Sequence, residues 1–152
     1  MSRFTPLTTK IVPMKTAVAA QKNDTFVTSA VDLVSATGAR IVWICSTSDI
    51  AVSSAKLQWS NDNVTFADVP NSAMVAAGLF PAVNNENKIA GWTIQRLAGQ
   101  EKGSPPRRYY RVSYTLPNGT NGLVSFIFAE IFDRVGMGPN AESSGFLAIV
   151  EV

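Results

Sequence analysis

Arg108-Tyr109-Tyr110-Arg111-Val112-Ser113-Tyr114-Thr115-Leu116 is the stretch on which the reading of the fold rests. In an extended chain Tyr110, Val112, Tyr114 and Leu116 fall on one side, and Arg111, Ser113 and Thr115 on the other. Alternation with a period of two belongs to a strand buried on one face. The next six residues, Pro117-Asn118-Gly119-Thr120-Asn121-Gly122, concentrate turn formers. Leu123 to Phe132 then reads as a second strand, apolar on both sides: Val124, Phe126 and Phe128 against Ile127, Ala129 and Ile131.

Outward from this pair the same grammar recurs. Ala55-Lys56-Leu57-Gln58-Trp59 alternates, Ser60-Asn61-Asp62-Asn63 supplies a turn, and Val64 and Phe66 resume one face before Pro70, a hairpin. Ala39 to Cys45 is almost continuously apolar, the pattern of a strand buried on both faces. Val27 to Val34 is β-prone and stops at a turn, Ala36-Thr37-Gly38. Ile89 to Leu97 reads as a strand with Trp92 and Ile94 in phase, and Phe146 to Val152 as a closing strand. Residues 72–80 read as a short helix or an irregular cross-connection. Seven or eight short strands with no long helix predict an all-β fold, a two-sheet antiparallel sandwich that is jelly-roll-like. Residues 1–25 are rich in Thr and Lys, with Pro6 and Pro13 spaced through them, and predict an extended N-terminal arm. Residues 26–152 are left as a single β-sandwich domain.

Composition narrows the function. A chain of 152 residues fits one domain that buries roughly 70% of its unfolded surface. Charged residues make up 16%, against about 25% in an average protein, which leaves extra apolar surface for partner subunits to cover. A net charge of +2 is too small to argue for nucleic acid. The basic residues are nevertheless uneven: Arg3, Lys10, Lys15 and Lys22 precede the first acid, Asp24, and Arg107, Arg108 and Arg111 gather late. No stretch is apolar for long enough to span a bilayer as a helix, and Met1 to Pro6 lacks the apolar core of a signal peptide.

With no histidine, Ser-His-Asp and Cys-His nucleophile systems and His-based metal sites are excluded. The lone Cys45 excludes paired-cysteine redox and zinc motifs, reads as a small buried apolar residue, and points to synthesis in a reducing compartment. No P-loop or GxGxxG motif is present. Asp62, Asp68, Glu86 and Glu101 read as solvated loop acids. Asn61, Asp62, Asn63 and Asp68 could offer oxygen ligands to calcium, but their spacing does not match an EF-hand loop and reads as a plain Asn/Asp turn. Trp43 and Trp59 read as core; Trp92, beside Gly91 and near a loop, is the tryptophan expected at the surface, where it could stack on a sugar. No catalytic, metal or cofactor site is expected, and the chain is not expected to be an enzyme.

One constellation carries more than any catalytic motif. Val31-Asp32-Leu33 is followed by Gly38-Ala39-Arg40-Ile41-Val42-Trp43, then by Leu57-Gln58-Trp59-Ser60-Asn61-Asp62-Asn63-Val64-Thr65-Phe66-Ala67-Asp68-Val69, then by Arg108-Tyr109-Tyr110-Arg111-Val112. Over roughly residues 27–132 this resembles small virion proteins of tailed bacteriophages, the head cement and decoration proteins with jelly-roll-like sandwiches. Asn63 stands where that pattern more commonly has Gly. The resemblance implies a structural protein made in the host cytoplasm and placed on the outer surface of the capsid. Its partners would be the major capsid protein and neighbouring copies of itself, as a dimer or trimer, without direct nucleic-acid or membrane contact. On this reading Phe4, Ile11, Val12 and Met14 anchor the arm, Lys10 and Lys15 pair with acidic shell residues, and Arg107, Arg108 and Arg111 are further partner contacts. Two other readings fit the same residues: a tail or head-fibre component, and a carbohydrate-binding β-sandwich module built on an exposed aromatic platform.

Overall fold

The structure is a computed structural model, and it describes residues 9–16, 19–34, 36–74, 89–95 and 107–133. Within them the chain forms nine strands and no helix: β1 (Thr9–Lys15), β2 (Asp24–Val27), β3 (Val31–Asp32), β4 (Ala36–Ser48), β5 (Ser54–Ser60), β6 (Ala67–Asp68), β7 (Ile89–Gln95), β8 (Tyr109–Leu116) and β9 (Leu123–Asp133). Every pairing is antiparallel. One sheet runs β1-β9-β4-β7; the other runs β2-β8-β5-β6, with β3 also on β8. The chain therefore passes from one sheet to the other at most of its connections.

The inner faces of the two sheets share one core. Ala39, Ile41, Trp43 and Cys45 of β4 and Leu123, Ile127 and Ala129 of β9 meet Leu57 of β5 and Val112, Tyr114 and Leu116 of β8. Burying a side chain such as Ile41 or Val112 stabilises by about 1.5–3 kcal/mol, which sets which side of each strand faces in. The alternation in β8 is realised: Tyr110, Val112, Tyr114 and Leu116 are all buried. One long side of the molecule is closed where Ser29 N–H donates to Met14 O, linking β1 to the segment between β2 and β3. On the other side Met74 N–H continues along β5 by donating to Ala55 O.

Several expectations change in the structure. Ala36-Thr37-Gly38, read as a turn, lies inside β4, where a register shift between Ala36 and Gly38 absorbs the extra residue as a bulge. The run Ala39 to Cys45 is fully buried on one side only: Arg40 on the other side is exposed, and Val42 and Ile44 are half-buried. Residues 9–15, expected in an extended arm, are strand β1 of the chain's own sheet, in register with β9 from Thr9 opposite Phe132 to Lys15 opposite Ile127. The edge position tolerates Pro13, which lacks the N–H that an interior strand needs. Trp92 is buried against the core, and its indole N–H donates to Ser72 O at 2.8 Å. Register explains this, since Trp92 pairs with inward-facing Ile41. Phe4, most of the 72–80 segment and the expected strand 146–152 lie outside the described residues.

Candidate interaction surfaces

The outward faces of the two sheets differ in kind. In an antiparallel sheet with one solvated side, alternate residues should be polar. The β2-β8-β5-β6 sheet largely obeys, the exception being Val27 of β2, which is 54% exposed. Lys56 Nζ donates to Asp68 Oδ2 at 2.6 Å, Gln58 Nε2 donates to Asp68 Oδ1 at 3.0 Å, and Arg111 Nε donates to Gln58 Oε1 at 2.9 Å. The bond from Lys56 holds the Asp68 carboxyl below its ordinary pKa, with the Gln58 amide adding to the effect. Thr25 and Thr115 share a hydroxyl bond across β2 and β8. A polar network of this kind is satisfied without a partner.

The outward face of β1-β9-β4-β7 does not obey. Phe128 stands opposite both Pro13 and Val42, and Ile44 stands between Phe126 and Ile89. Phe126, Phe128, Val42 and Ile44 are half-buried, and Ile89 is 69% exposed. The two phenylalanine rings tilt against each other with centroids 5.6 Å apart. The sequence held the signal, because β4 and β9 are apolar at consecutive positions. Which set faced outward was not legible there.

The structure engages most of the predicted partner-binding residues inside the chain. Met14 is buried in the core, and Val12 packs against it. Ile11 lies opposite Glu130 on the apolar outward face. Lys10 is exposed, opposite Ile131. Lys15 turns inward, where Nζ donates to Ser125 Oγ at 2.9 Å and Ser125 O at 3.1 Å and sits 5.7 Å from the Tyr114 ring centroid. Burial lowers its pKa from 10.5 to about 8. Arg108 makes a two-pronged pair with Asp32, Nε to Oδ1 at 2.8 Å and Nη2 to Oδ2 at 2.7 Å, and that contact raises its pKa. Arg107 lies over the Trp59 ring at 4.9 Å and Arg111 over Phe66 at 3.8 Å. The three arginines do not form one free basic patch: each rests on a different neighbour.

Two turns hold the ends of the strands. Asp49 accepts from Asn121 N–H and Gly122 N–H at 2.7 Å each, and Lys22 Nζ donates to Gly119 O at 2.9 Å and Thr120 O at 2.7 Å. The β8–β9 turn is thus clasped by an acid on its donors and a base on its acceptors. In the hairpin after β5, Asp62 Oδ1 accepts from Ser60 Oγ, Val64 N–H and Thr65 N–H at 2.7–2.9 Å, so the acid is a turn residue. Among the described residues no group of three or more His, Cys, Asp or Glu comes close enough to hold a metal ion. Trp92 offers no sugar platform because it is buried, and Trp59 is half-buried under Arg107. Glu86 and Glu101 lie outside the described residues.

No family model matches the chain, and no curated protein or solved structure matches it either.

Proposed function

We propose that this chain is a structural virion protein that binds the outside of a phage capsid and stabilises it across capsomer boundaries, a cement or decoration protein. The observation that carries the reading is the contrast between its two outward faces. One carries a self-satisfied polar network with Val27 as its exposed apolar residue; the other carries the half-buried Phe126, Phe128, Val42 and Ile44 beside the exposed Ile89. Apolar surface of this kind belongs to a subunit that is covered on assembly. Neighbouring copies and the major capsid protein are the partners this reading names, with the outer capsid surface as its location.

Strand order adds support. Counting β2 and β3 as one interrupted strand, since both pair with β8, leaves eight strands among the described residues, ordered 1-8-3-6 and 2-7-4-5. This order supports a reading as two nested Greek keys, the jelly roll used by viral capsid domains among others. The likeness of Val31–Leu33, Gly38–Trp43, Leu57–Val69 and Arg108–Val112 to phage decoration proteins points the same way. Many copies on a symmetric lattice would clamp a pressurised shell by avidity, without any single strong contact.

The test is co-sedimentation of the purified protein with capsids that lack it, followed by heating. Saturable binding that raises the temperature of capsid disruption is expected. Absence of binding to heads would overturn the reading.

A further inference from the structure

On the outward face of the β1-β9-β4-β7 sheet, register sets the side chains in rows. Pro13, Phe128, Val42 and Gly91 make one row, and Phe126, Ile44 and Ile89 the next. The row on the other side of Phe128 contains Glu130 and Arg40, directly opposite each other. These two are the charged side chains that register places on this face among the described residues, one of each sign, 3.5 Å apart.

We propose that two copies of this chain pack these faces against each other about a two-fold axis. The proposal rests on the assembly reading above and names the surface through which the copies meet. Charge selects the occupant. The face is apolar along two rows and neutral in the third. A strongly acidic or basic partner would bring charges that find no counterpart over Phe128, Val42 and Ile44, and burying such charges is unfavourable. A second copy brings the same apolar rows and its own adjacent cation and anion. An isologous contact of this kind is self-complementary, so each Arg40 can meet the Glu130 of either copy. Arg40 is well placed for that, since 59% of its side chain is exposed while it holds the Glu130 carboxylate at only 3.5 Å. The small net charge of +2 on each chain opposes the approach of two copies only weakly.

Sedimentation velocity on the isolated full chain between about 1 and about 100 μM tests this. A dimer is expected. Phe128→Lys should raise its dissociation constant at least about tenfold, with the circular-dichroism spectrum retained. Arg40→Glu places two acids side by side at an exposed position that does not threaten folding; it should weaken the dimer, and Arg40→Glu combined with Glu130→Arg should restore it. A wild-type chain that stays monomeric at about 100 μM, or a dimer unchanged in Phe128→Lys and Arg40→Glu, overturns the proposal. The capsid assay separates the two readings. A monomer that still binds heads overturns only the self-association, and a dimer of the expected behaviour that ignores heads overturns only the cement function.

Discussion

The rings of Trp43 and Tyr114 meet edge to face across the core, with centroids 4.6 Å apart and planes at 63°. One ring comes from β4 and the other from β8, so this contact joins the two sheets. Phe26 of β2 stacks on Tyr114 at 5.6 Å, and the Tyr114 hydroxyl donates to Gln21 Oε1. Burial pushes the Tyr114 phenol above its usual pKa.

Truncating this joint should be among the most damaging single changes. Trp43→Ala is expected to destabilise the chain by about 3–5 kcal/mol. Tyr114→Phe keeps the ring and loses only the bond to Gln21, for about 1 kcal/mol. Urea unfolding of the two variants measures the difference; equal losses would contradict the geometry.

Lys15 gives the stability a definite pH dependence. Its folded pKa, about 8, lies below the unfolded 10.5, so folding disfavours the proton. The protonated form weakens the fold below pH 8, and that penalty is relieved as pH rises from about 8 towards 10.5. Above pH 10 the raised Tyr114 pKa acts in the opposite sense, which leaves pH 8 to 9.5 as the window to watch. Lys15→Met should melt higher than wild type at pH 7 and show a flatter profile in that window. A wild-type melting temperature that does not rise there would count against this account.

The hairpin turn offers an acid-side counterpart. Bonds from Ser60, Val64 and Thr65 lower the Asp62 pKa from 3.8 to about 2. Its contribution is present above pH 3.8 and lost as pH falls towards 2. Asp62→Ala should lower the melting temperature at pH 7 and remove that part of the acid transition. The neighbouring Asn63 sits at φ 61°, a left-handed conformation that Gly also adopts freely. Asn63→Gly should change stability by less than about 0.5 kcal/mol, whereas Asn63→Val should cost about 1–2 kcal/mol. Calorimetry at pH 7 and pH 3 separates these cases.

Removing residues 1–15 should damage the fold itself. The deletion takes Met14 from the core and bares the hydrogen-bonding edge of β9 along Ile127 to Phe132. A loss of at least about 3 kcal/mol and a tendency to aggregate are expected. An arm lying on a neighbour would instead leave the melting curve unchanged, so one thermal melt decides between them.

Local pattern carried much of the architecture. The alternation in Arg108 to Leu116 fixed both the strand and its buried face, because a period of two leaves no other arrangement for Tyr110, Val112, Tyr114 and Leu116. The turn cluster at 117–122 and the hairpin after Trp59 followed from residues that tolerate tight backbone angles. The chain's own composition excluded histidine chemistry. Tertiary structure decided what local pattern leaves degenerate. In β4 and β9 both sides are apolar, so only packing against β5 and β8 chose Ile41, Trp43 and Ile127 as the inner set and left Val42, Ile44, Phe126 and Phe128 outside. The pairing of Thr9–Lys15 with β9 joins segments more than a hundred residues apart, and its Thr-, Lys- and Pro-bearing composition gave no local sign of it. The loop beside Trp92 suggests exposure, but register with Ile41 turns it inward. Arg108 was separated from Arg107 and Arg111 by Asp32, a partner 76 residues away. Each of these outcomes depends on which distant strand lies alongside, a matter of complementary faces rather than of neighbours in sequence.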